Sequence, residues 1–161
     1  MKFIKIKAGT FKMGSPKSNK NRYEDELLHD VELTNDFEIM DAPVTQSEYK
    51  EIIGENPSYF KDQPDNPVEQ VSWNDCQEFI KKLNEKNDGY IYRLPTEAEW
   101  EYCAKSCDEQ KLDDIAWYYK NSDNRTHPAR KKKPNELGLY DMIGNVYEWV
   151  QDWYGNYDEE D

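Results

Sequence analysis

The sequence predicts an α+β fold that is irregular and rich in loops. Apolar and polar residues alternate in short runs over about the first forty residues, which is typical of half-buried strands. Three later positions carry a hydroxyl residue followed three places on by an acid, which is a start signal for helices. After Asp108 neither pattern continues. A chain of 161 residues fits a single domain, which we assign to residues 1–161.

The strand pattern begins at the N-terminus. Two early strands are predicted near Phe3–Lys7 and Thr10–Gly14, where apolar side chains recur at every second position. Asp30–Leu33 and Phe37–Met40 are predicted to form a pair of strands around a turn at residues 34–36. Because the first residues alternate and form no apolar run, they predict a strand and not a signal peptide.

Three helices follow, each beginning at a capping box or a close variant of one. The paired hydroxyl and acid residues are Thr45 with Glu48, Ser72 with Asp75, and Thr96 with Glu99. The helices are predicted to cover Thr45–Gly54, Trp73–Asn87 and Thr96–Ser106. Their apolar faces carry Tyr49, Ile52 and Ile53, then Cys76, Phe79, Ile80 and Leu83, and then Trp100 and Cys103.

Composition excludes several classes of function. The formal net charge of −13 argues against a nucleic-acid partner, because phosphate binding needs clustered Lys and Arg. The one basic run, residues 130–133, is predicted to be a solvated loop. No stretch approaches the ~20 apolar residues of a membrane span. Five Trp, twelve Tyr and five Phe predict an aromatic interior, and three cysteines favour a reducing, cytoplasmic location over a disulfide framework.

The stretch GLYDMIGNVYEW, residues 138–149, is the main candidate site. It places Asp141 and Glu148 close in sequence, and a hard cation such as Ca²⁺ takes roughly six to eight oxygens from carboxylates and carbonyls. Gly144 would let the backbone curl so that carbonyls point inward. The alternative is a tight turn in which Asp141 and Asn145 bond to their own backbone. In that alternative three aromatic residues pack inward, namely Tyr140, Tyr147 and Trp149.

Other candidates favour structural interpretations. Arg93 precedes a helix with three acids, which could form an arginine clamp or an acid–base pair, but an ion pair between Arg93 and a helix glutamate is the interpretation we favour. Cys103 and Cys107 lie four residues apart, but two thiols do not complete a typical structural zinc site, so Cys103 is predicted to be a core thiol. Cys76 is predicted to be a core residue as well. The two histidines, His29 and His127, belong to no catalytic signature.

Several stretches, taken in order, resemble the sulfatase-modifying factor family, whose best-known member is the formylglycine-generating enzyme. They are GTFKMGS (9–15), HDVELTNDFEIMDAPVTQSEY (29–49), NPVEQVSWNDC (66–76), YRLPTEAEWEYCAK (92–105), PNELGLYDMIGNVYEW (134–149) and DWYGNY (152–157). The resemblance covers nearly the whole chain. It implies a C-type-lectin-like variant of the α+β class.

The resemblance also implies structural calcium. One family site falls on residues 138–149 and implies four ligands, which are the side chains of Asp141 and Glu148 and the carbonyls of Gly144 and Val146. A second family site is implied near residues 121–124, where the match is too loose to assign ligands.

The activity implied by the resemblance is oxidation of a sulfatase cysteine to Cα-formylglycine, using O₂ and copper held by two cysteines. In the family these cysteines lie in a C-terminal segment after an Arg-Gly-Gly-Ser type motif, and none of the three cysteines here matches them. We therefore expect a domain that is C-terminally truncated relative to the family, lacks the closing strands and exposes apolar surface near Phe3, Ile4 and Ile6.

Three functional hypotheses remain open. The chain is a non-catalytic, calcium-stabilised binding or scaffold module with a protein or peptide ligand. Alternatively, it is a fragment of a family enzyme or display protein. In the third hypothesis, another chain completes a copper-dependent oxidase.

Overall fold

The described residues, 1–20, 22–107 and 111–155 of a computed structural model, contain short strands and helices joined by long loops. The strands are β1 (Phe3–Ile6), β2 (Gly9–Met13), β3 (His29–Leu33) and β4 (Phe37–Met40). The helices are α1 (Gln46–Ile53), α2 (Trp73–Asn84), α3 (Glu97–Ala104) and α4 (Leu112–Ile115). This mixture confirms the predicted α+β class, and the strand boundaries lie within one residue of those predicted.

The strands form two antiparallel ribbons. β1 pairs with β4, and β2 pairs with β3. Residues 7–8 lie opposite residues 34–36 where one ribbon passes into the other. Asp36 closes this interruption, because its carboxylate accepts hydrogen bonds from the Lys7 ammonium at 2.8 Å and the Ala8 N–H at 3.0 Å.

The predicted pairing of β3 with β4 is wrong. Both strands form, but each pairs with an N-terminal strand. The connection between them is short enough for a hairpin, yet its Asp36 is bound to the connection between β1 and β2. Burial of Ile6 against Cys103 of α3 and against Leu139 and Met142 also fixes β1 where β4 can pair with it.

All three predicted capping boxes are present. Thr45, Ser72 and Thr96 each accept from the backbone N–H three residues on, and the acid there bonds back to the cap. Helix α1 ends at Gly54, whose φ of 100° is the left-handed conformation that glycine favours. Helix α2 ends at Asn84, three residues before the predicted end. None of the described helices is long and apolar enough to span a membrane.

The core consists of two clusters. One joins Ile6 of β1 to Cys103 of α3 and to Leu139 and Met142 of the candidate site. The other packs α1 on α2, where Tyr49 and Phe79 stack with ring centroids 5.4 Å apart. The predicted aromatic interior is wrong in extent, because many of the large aromatic side chains are exposed, including Tyr23, Tyr59, Tyr119, Tyr147 and Trp153. The expected exposure at Ile6 is also wrong, since Ile6 is buried.

Candidate metal centre and the adjoining cleft

The stretch 138–149 is anchored to the first core cluster. Leu139 and Met142 are buried, and they hold the segment between them against the protein. Asn135 fixes the approach, because its side-chain oxygen accepts from the Leu139 N–H at 3.0 Å while its amide donates to the Cys103 carbonyl at 2.9 Å. The backbone that carries the candidate ligands is therefore positioned by α3.

Asp141 lies at the centre of this segment and is only 3% exposed. One carboxylate oxygen accepts from the Arg130 N–H at 2.8 Å, and the other faces the Asn145 amide at 3.4 Å. Burial raises the pKa of the Asp141 carboxyl, and the hydrogen bonds from Arg130 and Asn145 offset this only in part. The site therefore holds a carboxylate that lacks full compensation for its lost hydration.

Asn145 and Gly144 bring neighbouring segments close to the turn. The Asn145 side chain exchanges hydrogen bonds with the backbone of His127, both at 3.0 Å. The Asn145 N–H donates to the Trp117 carbonyl at 2.8 Å. Gly144 has a φ of +83°, and a Cβ there would collide with the same Trp117 carbonyl. Only glycine fits this position, which agrees with the predicted curl of the backbone at Gly144.

Glu148 carries the second negative charge. The residue is exposed, and it lies on the wall of a cleft between β4 and helix α2. Desolvation of its carboxyl group raises the pKa of Glu148 to about 7, and the negative charge of Asp141 adds to the shift. The buried indole N–H of Trp100 partly offsets the shift, although it makes no hydrogen bond of good geometry to any described residue.

Arg130, which lies outside the predicted site, links the candidate site to the β1–β4 ribbon. The Arg130 guanidinium donates to the Asp41 carboxylate, with a distance of 3.0 Å from Nε, and Asp41 is 2% exposed. The Tyr140 N–H donates to the Asp41 carbonyl at 2.8 Å. Arg130 therefore contributes its backbone N–H to Asp141 and its side chain to the end of β4.

The basic run containing Arg130 is a loop, as predicted, with Lys131 and Lys133 exposed, but its other side chains are only partly solvated. Besides the Arg130 pair, Lys133 pairs with Asp114 at 2.8 Å, and the Lys132 ammonium lies 4.1 Å from the centroid of the Trp117 ring. The sequence signal that could have indicated this role is the position of the run directly before the candidate site.

The residues around Asp141 fit a cation. Asp141 supplies a buried carboxylate, and each of its two oxygens keeps a lone pair beyond its present hydrogen bond, while Glu148 follows in the same segment. The Gly144 carbonyl accepts from the Val146 N–H at 2.8 Å and likewise retains a second lone pair. No cluster of three or more His, Cys, Asp or Glu occurs among the described residues. Backbone carbonyls would therefore supply the remaining oxygens.

The alternative of a simple inward-packed turn is not what forms. Asp141 and Asn145 bond chiefly to the backbone of residues 127–130. Tyr147 is fully exposed and Trp149 is 49% exposed, so their predicted inward packing is wrong. Aliphatic Leu139 and Met142 take the buried positions instead, and the positive φ of Asp141 turns the chain between them.

The region near residues 121–124 forms a turn. The Asn121 side chain accepts from the Tyr118 N–H at 2.9 Å and donates to the Ala116 carbonyl at 3.1 Å. Asp123 and Asn124 have φ values of 51° and 53°. The Asn121 side chain thus closes the turn itself, and the geometry assigns no cation ligands here.

The remaining candidates take structural roles. Arg93 forms a bidentate pair with Glu99, with both N–O distances at 2.6 Å, which confirms the favoured ion-pair interpretation. Cys103 is fully buried, and burial raises the pKa of its thiol to about 12. Cys76 is half-buried, and burial raises its pKa to about 11. His127 stacks on Trp117, and its Nε2 lies 2.9 Å from the Ser122 carbonyl oxygen.

A cleft that sequence reasoning missed lies beside the candidate metal centre. It has a volume of about 940 Å³ and lies between β4, helix α2 and residues 146–149. We call it the β4 cleft. Glu148 lies on one of its walls and Phe79 on another. No sequence pattern indicated it, because its walls come from segments far apart in the chain.

With the fold and this geometry established, the chain can be compared with known proteins. The sequence profile of the Sulfatase-modifying factor enzyme 1-like domain matches residues 1–160. The chain belongs to this family. The resemblance inferred from the motifs is thereby confirmed.

Three relatives illustrate the range of the sulfatase-modifying factor family. The chaperone protein LppX of Paenibacillus barcinonensis is 32% identical over 89% of this chain and 70% of its own length. The formylglycine-generating enzyme of Bos taurus is 32% identical over 56% of this chain and 28% of its own. The solved structure of Treponema denticola variable protein 1 superposes with a TM-score of 0.85 at 30% identity, covering 99% of this chain and 75% of that one. This chain therefore spans less than a third of the bovine enzyme.

Proposed function

We propose that this chain is a non-catalytic member of the sulfatase-modifying factor family that acts as a calcium-stabilised binding or scaffold module. The proposal includes the C-type-lectin-like variant of the fold. The observation that carries it is the buried Asp141 carboxylate, which is 3% exposed, accepts from the Arg130 N–H and the Asn145 amide, and precedes Glu148 in the same turn segment. Two such carboxylates favour a bound cation, because a cation removes their mutual repulsion.

In this proposal the ion is held by four residues of the candidate site, Asp141, Gly144, Val146 and Glu148. The two acids supply carboxylate oxygens and the other two supply carbonyl oxygens. Calcium would supply positive charge and hold the turn in place. The binding surface itself would be the β4 cleft, which shares Glu148 with the metal centre.

The thiols support a non-catalytic assignment. A thiolate is the form that binds copper or attacks a substrate, and raised pKa values keep the Cys76 and Cys103 thiols protonated at neutral pH. The three cysteines, all of them described residues, form no disulfide, which is the state that the proposed cytoplasmic location would maintain.

Calcium-dependent thermal unfolding tests this proposal. An ion that binds only the folded state stabilises it by about 2.7 kcal/mol when present at about 100 times its Kd. We expect millimolar Ca²⁺ to raise the Tm of the chain and Asp141→Asn to abolish that increase. Asp65→Asn, at an exposed position in the loop between α1 and α2, is the matched control and should leave it intact. An equal Tm with Ca²⁺ and with EDTA would refute the calcium proposal.

The second candidate function is a copper-dependent oxidase that converts a sulfatase cysteine to formylglycine, with this chain as a fragment or as one part of a complex. It is favoured by the similarity to the bovine enzyme, of which this chain spans 28%, and by the open β4 cleft. Mass spectrometry of a cysteine-containing sulfatase peptide, incubated with the protein, copper and O₂, distinguishes the two. The non-catalytic proposal predicts no change in peptide mass. A change that is lost in a cysteine-free variant would establish the oxidase.

A further inference from the structure

The β4 cleft leaves large apolar side chains uncovered. Ile91 is 92% exposed and Tyr147 is fully exposed, although both lie on its walls. Trp149 is half exposed, with its indole N–H bound to the Val71 carbonyl at 3.0 Å. Clustered apolar residues of this kind on a concave surface mark a site for a partner.

One side of the cleft is the edge of a strand. Every residue of β4, from Phe37 to Met40, lies on it. Because alternate side chains of a strand point to opposite faces, a cleft that touches consecutive residues reaches the edge of the strand, and this cleft also extends over the ribbon face that carries Phe3 and Lys5 of β1. The other edge of β4 is occupied by β1. The cleft therefore follows the edge of β4 that has no strand partner among the described residues.

The strand register identifies which backbone groups face the cleft. The Asp41 N–H donates to the Lys2 carbonyl at 2.9 Å in register with the β1–β4 ladder, so alternation makes Ile39 the next residue bonded to β1. The N–H and C=O groups of Glu38 and Met40 therefore point away from β1. No described residue outside β1 bonds to them. An added strand would meet two donors and two acceptors, with the two residues about 7 Å apart.

The charges on the walls limit the class of partner. Two ion pairs are already complete, namely Lys5 with Asp36 and Arg93 with Glu99. Glu38 lies at the strand edge, across the ribbon from Lys5, whose ammonium is paired with Asp36. The whole chain has a net charge of −13. A cationic partner would meet both a local carboxylate and a favourable long-range field.

We infer that the β4 cleft binds an extended peptide segment of another polypeptide as an added strand on β4. The segment is apolar on the face that enters the cleft and carries Lys or Arg opposite Glu38. Backbone hydrogen bonds to Glu38 and Met40 provide affinity, while the apolar walls and the acid provide selection. This inference rests on the proposed binding function and specifies its ligand class.

A second copy of the chain fits the cleft less well. Each copy carries 13 negative charges in excess, so the long-range field opposes association. Pairing two β4 edges would also bring Glu38 of one copy near Glu38 of the other. Like charges placed together at an interface disfavour that partner.

Fluorescence anisotropy with synthetic peptides tests the inference. The probe is a labelled seven-residue peptide that alternates valine and lysine, and its counterpart alternates valine and glutamate. We expect the lysine peptide to bind with a Kd on the order of 10 μM and the glutamate peptide to bind at least about tenfold more weakly. Absence of binding by the lysine peptide at millimolar protein would overturn the inference.

Two controls separate strand addition from general attraction of cations. Glu38→Lys should weaken binding about tenfold, while Glu32→Lys, at an exposed position on β3, changes the net charge equally and should have little effect. N-methylation of alternate residues gives two peptide variants. The variant whose methyl groups face β4 should lose binding and the other should retain it. Equal effects of the two substitutions, or of the two methylation patterns, would refute strand addition.

Sedimentation velocity tests the remaining alternative, in which a second copy of the chain occupies the cleft. Together with the calcium-dependent Tm, the peptide-binding result also separates this inference from the calcium proposal. A concentration-dependent dimer that the lysine peptide dissociates would overturn the inference and assign the β4 edge to a second copy. A monomer at all concentrations, together with peptide binding, supports it. If the lysine peptide binds but Ca²⁺ does not raise the Tm, only the metal centre is refuted. If Ca²⁺ raises the Tm but the lysine peptide does not bind, only the peptide site is refuted.

Discussion

At the residue scale, Gly144 determines the shape of the candidate site. Gly144→Ala would impose a left-handed φ of +83° on alanine and push its Cβ into the Trp117 carbonyl. Gly138→Ala is the matched control, because Gly138 has the same φ of +83° but nothing within 4 Å of the added carbon. We expect a loss of about 2 kcal/mol or more for Gly144→Ala and about 1 kcal/mol for Gly138→Ala. Urea unfolding in EDTA measures both, and equal losses would mean that the collision does not matter.

Individual residues of the site differed in how far the sequence could predict them. Asp141 and Gly144 were predictable because a buried acid and a left-handed glycine leave a local signal. Arg130 was not, because its partner Asp41 lies 89 residues away and no local spacing connects them. The pairing depends on where β4 ends relative to the loop before the site, which is a property of the fold.

At the element scale, the capping boxes are the most predictable features. The hydroxyl of Thr96 accepts from the Glu99 N–H at 3.2 Å, and Glu99 in turn accepts from the Thr96 N–H at 2.8 Å. Such a motif is complete within four residues, so sequence alone specifies it. The ends of helices α2 and α3 were overestimated, because no glycine or proline there marks where the helix stops.

The start of α3 should be sensitive to acid. Burial raises the pKa of Glu99, but hydrogen bonds from Arg93 and Thr96 outweigh it, so the net pKa lies below the usual 4.5. The folded state then binds fewer protons than the unfolded state near that pH. The stabilisation is therefore complete above pH 4.5 and is lost as the pH falls through the lowered value. Glu99→Gln should cost about 1 kcal/mol at pH 7, since Arg93 is half exposed.

Urea unfolding at several pH values measures this effect. The difference in free energy of unfolding between the wild type and Glu99→Gln should shrink as the pH falls from 7 to 3. Glu78→Gln, at an exposed position on α2, is the control and should show a small difference at every pH. A Glu99→Gln difference that does not vary with pH would contradict the assignment of the ion pair.

The pairing of strands lies beyond what element-scale patterns predict. Alternation located β3 and β4 within one residue, but a three-residue connection suits a hairpin as well as a crossing between ribbons. Binding of Asp36 to Lys7 and Ala8 decides between them, and that contact spans about 28 residues of the chain. Alternation predicts that a strand exists and leaves its partner open.

At the scale of the whole molecule, family membership was the most predictable feature and the cleft the least. The ordered motifs extend over nearly the whole chain, and the family profile matches residues 1–160. Uncovered apolar surface was expected near Phe3, Ile4 and Ile6. Phe3 does line the β4 cleft, where Ile91 and Tyr147 are exposed, whereas Ile6 is buried. Ile6 is drawn into the core by Leu139 and Met142, so the ribbon is covered on the side of the candidate site.

A crystal structure grown in calcium chloride, with anomalous scattering data, would locate any bound calcium. We expect one ion bound by the carboxylates of Asp141 and Glu148 and the carbonyl oxygens of Gly144 and Val146, at about 2.3–2.6 Å. An empty site at millimolar calcium, or an ion bound only elsewhere on the chain, would contradict it.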